Sequence, residues 1–263
     1  VSDSPRPEHP GTEPSPTDVA ATLIEFANAS VSTDDVVGLF TLLSTRTVEV
    51  LNIAAAGVLL VTPDGTPMAI GSSSHSAHLL DLFQIQSEQG PCLTCCRTGE
   101  QVADADLAND GPWPLFARAA RDWGYRAVYA LPLASRGVTM GAVNLFATTA
   151  LSEANIDLAQ ALADIATLSL IQASPLRDAE VVARSLHDAM ESRIALEQAK
   201  GMLAVRFSED ADAAFSRILS ASEVTGMPLG TLAASVVTRT TDAATDAALM
   251  QPQPSTTTPR QKA

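Results

Sequence analysis

Pro175 divides this chain into two stretches with different plans. Proline disfavours helical backbone at the residue before it, so the spacing predicts a break at Ser174. Upstream, helical and strand periods are mixed. Downstream, every periodic segment is helical. A domain boundary at 173–175 follows, and 263 residues leave room for a domain on each side.

The upstream stretch begins with helical spacing over 19–52, carried by Leu23, Phe26 and Ala27 and then by Val36, Leu39, Phe40, Leu43, Thr47 and Leu51. "GVLLV" and "MAI" read as two strands around the turn signal "PDG". A short helix is expected over 75–84, a strand near Val102, and a helix in "WPLFARAARDWG" ending at Gly124. "AVYALPLAS" and "VTMGAVNLFAT" read as a hairpin joined at "RG". Ser152 then caps a helix over 153–172. Strands in adjacent pairs with helices at both ends predict an α+β fold, not a doubly wound parallel sheet.

Residues 1–18 and 240–263 are rich in Pro, Ser, Thr and acid. They carry too little apolar surface to fold and are expected to be disordered tails. No unbroken apolar run reaches the roughly 18 residues a membrane span needs, and no signal peptide is read at the start. No membrane partner is expected. The net charge of −14 argues against broad binding to nucleic acid or anionic lipid, so any nucleic-acid site must be local. Three cysteines clustered within five residues make a poor disulfide framework and suggest a reducing cytoplasm.

Downstream, one long helix is expected over 176–207, with shorter ones over 209–224 and 229–238. Val182, Ala189, Leu196 and Leu203 recur every seven residues, with Ser192 and Ala199 between them, which is coiled-coil spacing. Val182, Leu186, Met190 and Ile194 form a second row. Together the rows predict a dimer contact as well as a small three-helix core. Arg193 and Lys200 are seven apart and share a face, with Arg206 rotated away. Gly201, beside Lys200, costs about 1 kcal/mol of helix propensity relative to alanine. The expectation is that a partner backbone approaches there while the lysine charge stays available.

Gly90-Pro91-Cys92, then Gly99 and Val102, then Pro132 and the Gly141 strand resemble a GAF domain, the small-molecule sensor fold of many bacterial regulators, over about 36–172. Residues 19–173 are therefore assigned to a GAF sensor domain. The resemblance implies an antiparallel sheet with helices on one face and a pocket for an unidentified ligand on the other. Trp113, Phe116, Trp123 and Tyr125 are expected in the core or that pocket. Cys92, Cys95 and Cys96 keep several readings. Cys92 or Cys95 fits a nucleophile, as in GAF-like sulfoxide reductases. "CLTCC" fits a redox sensor. Cys92 and Cys95 with His75 or His78 fit a metal site. Cys92 also fits the packed residue common after Gly-Pro, the favoured reading. No metal is assigned and the cofactor is left unknown. His75 and His78 are read as cap or surface residues rather than haem ligands.

Arg193, Ala199-Lys200-Gly201, Leu203, Ala214-Phe215, Leu219, Ala221, Leu232-Ala233 and Val236-Val237 resemble an ANTAR domain, assigned to 175–239. Ala204 and Phe207 depart from the family pattern, and seven basic residues face nine acids in this segment. The resemblance implies an all-α domain that binds paired RNA hairpins and prevents a transcription terminator from forming, with RNA polymerase affected indirectly. It points to Arg193, Lys200, Gly201, Arg206, Ser222 and Thr225 as RNA contacts. The chain is thus expected to be a homodimeric cytoplasmic regulator, not an enzyme, controlled by a ligand or redox signal at its first domain. The alternatives are a thiol enzyme or a protein-interaction module.

Overall fold

The computed structural model describes residues 19–22, 24–25, 36–62, 64–109, 111–173 and 179–251, with side chains omitted for 172, 173 and 179–190. The expected tail at 1–18 and the Pro175 junction lie outside the described residues. The chain divides into two compact units, Val1–Asp188 and Ala189–Ala263.

The first unit holds α1 (Val36–Leu51), β1 (Ala55–Val61), β2 (Pro67–Ser72), α2 (His75–Ser87), α3 (Pro91–Thr98), β3 (Val102–Asp104), α4 (Pro114–Asp122), β4 (Ala127–Ser135), β5 (Val138–Ala147) and α5 (Glu153–Ala173). The strands form one antiparallel sheet in the order β2-β1-β5-β4-β3. The "RG" hairpin forms as expected. Arg136 and Gly137 take φ of 52° and 79°, the left-handed pair that a two-residue turn between right-twisting strands demands.

Alternation along the strands separates two faces. A Cβ at Gly71 would overlap Phe40 of α1, whereas one at the neighbouring register position, Gly57, would overlap Asp81 of α2. Helices α1 and α5 pack with each other and with the sheet, and α2 and α3 pack against the sheet on the Gly57 side. Helices thus cover both faces, where the GAF resemblance implied helices on one face only. The α2 side is filled by two apolar clusters. One joins Phe116, Tyr125 and Phe146, with Trp113 and Trp123 at its margin. The other joins Leu59, Cys92, Cys95, Ala130 and Ala142.

Two readings need correction here. Glu153–Ile171 is long and apolar enough to cross a membrane by length and composition. Counting unbroken runs missed it because Asp157 and Asp164 interrupt the apolar residues. Its Ala159, Leu162, Ala163 and Ala166 are buried, and the helix packs on α1 and β4, while Leu168 and Ile171 are exposed. His78, expected at the surface, is buried in the first turns of α2.

The second unit contains the C-terminal part of α6 (Ala179–Phe207), then α7 (Ala211–Thr225), α8 (Leu229–Thr238) and α9 (Ala243–Leu249). Leu196, Ala199 and Leu203 of α6 are buried, as are Ala214, Phe215, Ile218 and Ala221 of α7 and Leu232, Ala233 and Val236 of α8. In this part of the heptad pattern the seam therefore faces the unit's own core. Ile194 of the second row is 50% exposed. Helix α9 corrects the expectation of a tail over the first part of 240–263; residues 252–263 lie outside the described residues. The Asp242 side chain caps it by accepting from Thr245 N at 2.8 Å, a bond that also holds the carboxyl below its usual range. Ala248 and Leu249 are buried.

Candidate nucleic-acid interface

Helical spacing puts Arg193, Glu197 and Lys200 on one stripe of α6. Glu197 lies between the two cations. Its Oε1 is 2.7 Å from Arg193 Nη2, and Lys200 Nζ donates to its two oxygens at 3.1 and 2.9 Å. Phe215 of α7 lies beneath, its ring centroid 5.4 Å from Lys200 Nζ. Arg193 and Lys200 are only 5% and 4% exposed. Burial pushes the Lys200 amine below its usual range; the Glu197 carboxylate opposes that shift and the Arg193 guanidinium adds to it. The expectation that these two charges stand available on an outer face is corrected. Both are buried and share one carboxylate, Glu197, four and three residues away, and the Phe215 ring lies against Lys200.

Gly201 is exposed, and a Cβ there would meet nothing within 4 Å. Among the described residues no packing requires the glycine. It lies instead in an open groove of about 1100 Å³ lined by Gln198, Met202, Val205 and Arg206 of α6, Val237 of α8, Arg239, Thr241, Asp246 and others. Arg206 and Arg239 are exposed, and Val205 is 82% exposed. The groove brings together Gly201 and Arg206 of the expected contacts and adds Arg239. Arg193, Lys200, Ser222 and Thr225 do not line it.

Ser222 and Thr225 have local partners. Ser222 Oγ donates to Met227 O at 2.7 Å, and Thr225 Oγ1 donates to Ala221 O at 2.7 Å and accepts from Met227 N at 3.3 Å. Both hydroxyls close the turn between α7 and α8. Sequence reasoning passed over Arg217, which turns out to be a structural cation. Its guanidinium pairs with Glu209 at 2.6 Å, donates to Leu249 O and Gln251 O at 2.7 and 2.8 Å, and stacks 4.1 Å over the Phe207 ring. This accounts for Phe207, one of the departures from the family pattern.

In the first unit the cysteines sit on α3, a helix that sequence reasoning did not separate from its motif. Pro91 opens it and Gly99 ends it, the usual asymmetry of helix ends. Gly90 takes φ +150°, and a Cβ there would overlap Gln84 Oε1. That same oxygen accepts from Cys92 N at 3.0 Å. Gln84 Nε2 donates to Asp81 Oδ1 at 3.4 Å, and Asn144 Nδ2 of β5 donates to it at 2.6 Å. A buried polar chain therefore ties α3 through α2 to the central strand. Cys92 and Cys95 are buried and Cys96 is half-buried. Burial raises the Cys92 thiol well above its usual range and pushes Cys95 up to about 12. Cys96 is held below its usual range, chiefly by its hydrogen bond with Cys92. Among the described residues no three His, Cys, Asp or Glu are grouped to hold a metal ion.

The family model of the GAF domain matches residues 33–170 and that of the ANTAR domain matches 184–237. A search of curated proteins finds no match. Solved structures similar to the chain include a GAF domain/HD domain protein from Geobacter sulfurreducens, at 18% identity over 56% of this chain and 99% of that one, with a TM-score of 0.47. Another is the GAF domain of a phosphoenolpyruvate-protein phosphotransferase from Acinetobacter, at 12% identity over 62% and 98%, with a TM-score of 0.46. A third is the corresponding domain from Coxiella burnetii, at 15% identity over 60% and 95%, with a TM-score of 0.46. The chain belongs to the GAF domain family and joins that sensory domain to an ANTAR domain, the make-up of a signalling regulator.

Proposed function

We propose that the chain binds paired RNA hairpins as a homodimer and promotes transcription antitermination, under control of a signal received by its GAF domain. The observation that carries this reading is the order of the two matches, a sensory domain followed by an ANTAR domain. On this reading the chain acts in the cytoplasm, on nascent transcripts, with polymerase affected only through the RNA.

The groove around Gly201 supports a revised set of contacts. Arg206 and Arg239 supply phosphate neutralisation, and the open floor at Gly201 admits a loop base or backbone. Arg193 and Lys200 then act as positioning residues that hold the helix, through Glu197, and not as direct contacts. Against a net charge of −14, such a site binds through local geometry and releases few counterions.

The test is binding of the full chain to an RNA carrying two adjacent hairpins, across a salt series. Arg206→Ala and Arg239→Ala should each weaken binding and flatten the salt dependence. Lys200→Met should leave that slope unchanged. Absence of salt-sensitive binding at low ionic strength, in both the full chain and residues 175–251, would overturn the reading.

A further inference from the structure

The groove around Gly201 is completed by residues that lie beyond the ANTAR match. That match ends at 237, whereas Thr241 and the α9 residues Asp246 and Leu249 line the same groove as Gly201, Arg206 and Arg239. Helix α9 is seated by several independent contacts. Asp242 caps its first turn, and Thr245, Ala248 and Leu249 are buried. The Arg217 guanidinium donates to the carbonyls of Leu249 and Gln251 at 2.7 and 2.8 Å.

This helix brings a carboxylate to the wall of a groove whose proposed ligand is a polyanion. Thr241 Oγ1 donates to Asp246 Oδ1 at 3.0 Å and orients the group. Among the described residues no ion pair joins Asp246 to a lysine or an arginine. Arg206, on the same groove, rests over the Phe207 ring with its guanidinium 5.3 Å from the centroid. The groove therefore holds two cations and one anion that do not cancel in pairs. We propose that Asp246 is the specificity-determining residue of this groove. It turns the phosphate backbone away and accepts a hydrogen bond from an unpaired loop nucleotide. The proposal rests on the RNA-binding reading given above and deepens it.

The chemistry follows from what each group can offer. An ionised carboxylate has acceptor oxygens only. A phosphate diester likewise offers only acceptors and carries charge of the same sign, so the two repel across a groove. An unpaired nucleotide brings donors. These are the exocyclic amine of adenine, cytosine or guanine and the ribose 2′-hydroxyl. In a stem the bases are paired and the backbone meets a groove with its phosphates first. In a loop both donors are open. Arg206 and Arg239 thus attract RNA of any structure, and Asp246 turns that attraction into a preference for loops. Asp246 also sits in the first turn of α9, where an acid suits the helix dipole. A purely structural acid there would change how α9 is seated, not which RNA is chosen.

The full chain and its Asp246→Ala variant are compared on a pool of two-hairpin RNAs with fixed stems and randomised loops, and on a loop-free duplex RNA. The variant should lose about fivefold on the hairpins as a charge-assisted hydrogen bond goes. It should gain about threefold on the duplex as a like charge leaves the groove. The preference for loops then falls roughly fifteenfold. Two arms identify the donor. Depletion of uracil at one loop position of the bound pool, lost in the variant, marks the base amine. A preference for ribose over 2′-deoxyribose loops, lost in the variant, marks the hydroxyl. Amide exchange over 243–249 confirms that α9 stays seated; if alanine unseats it, Asp246→Asn, which keeps an acceptor for Thr241, is read instead. A loop preference that survives in a seated variant, or one lost without a change in either arm, overturns the proposal while leaving RNA binding intact. Hairpin RNA ignored by the unaltered chain overturns the RNA-binding reading and the proposal with it.

Discussion

Replacing Gly201 with alanine separates stability from recognition at the groove. Gly201 sits inside α6 with helical backbone, and beyond its own helical turn an added Cβ would meet no atom of the described residues within 4 Å. The methyl group therefore brings no clash, while the helix gains the propensity difference of about 0.8 kcal/mol. In a unit of this size, Ala189–Ala263, that moves the thermal midpoint up by roughly 3–6 °C. If RNA packs against the bare backbone, the same methyl group overpacks the contact by about 1 kcal/mol or more, roughly fivefold in affinity. Calorimetry of the full chain and binding to a two-hairpin RNA measure the two effects side by side. A lower midpoint would refute the open-space reading of Gly201. A raised midpoint with unchanged affinity would refute the groove as the contact surface.

Other perturbations test the supporting structure. Glu197→Gln leaves Arg193 and Lys200 buried beside each other without their carboxylate and should destabilise the second unit by about 2 kcal/mol, read in urea unfolding. Lys200→Met keeps the Arg193–Glu197 pair and should cost far less. Arg217→Met removes the hydrogen bonds to Leu249 O and Gln251 O, so amide exchange over 243–249 should accelerate more than over α7. Burial raises Cys95 to about 12 from an ordinary value of 9.0, so it favours folding fully below pH 9 and loses that contribution as pH climbs toward 12. Cys95→Ala should make the alkaline loss of stability shallower.

Much of the first unit could be read from local chemistry. The "RG" turn needs two left-handed residues, "PDG" marks a turn, and strand periods flank both. Helix α3 was missed because its residues were read for their thiols, although Pro91 and Gly99 mark its two ends. Helix α9 was missed for a different reason. "AATDAAL" carries little apolar surface of its own, and the Arg217 bonds that hold its end come from 32 and 34 residues away. The α6 site was half legible. The spacing of Glu197 from Arg193 and Lys200 is plain in the sequence, but the packing of Lys200 against Phe215 depends on how α7 folds back. The groove at Gly201 depends on α9 as well, since Asp246 and Leu249 help line it.

The strand order has a consequence for synthesis on the ribosome. β1 pairs with β2 across separations of 6 to 15 residues, but its other edge waits for β5, in the register Ala55↔Phe146 through Leu60↔Gly141. About eighty residues must therefore emerge before the sheet's central pairing can form. Until then the β1–β2 hairpin presents an apolar edge, Val58 to Leu60 included, to any neighbouring chain. Non-local pairing of this kind slows folding, so the growing chain spends longest in its most aggregation-prone form just before β5 emerges. Expression at lower temperature, or with a chaperone that shields unpaired strands, should raise the folded yield of the full chain, whereas truncations ending before residue 138, which lack β5, should stay unfolded under either condition.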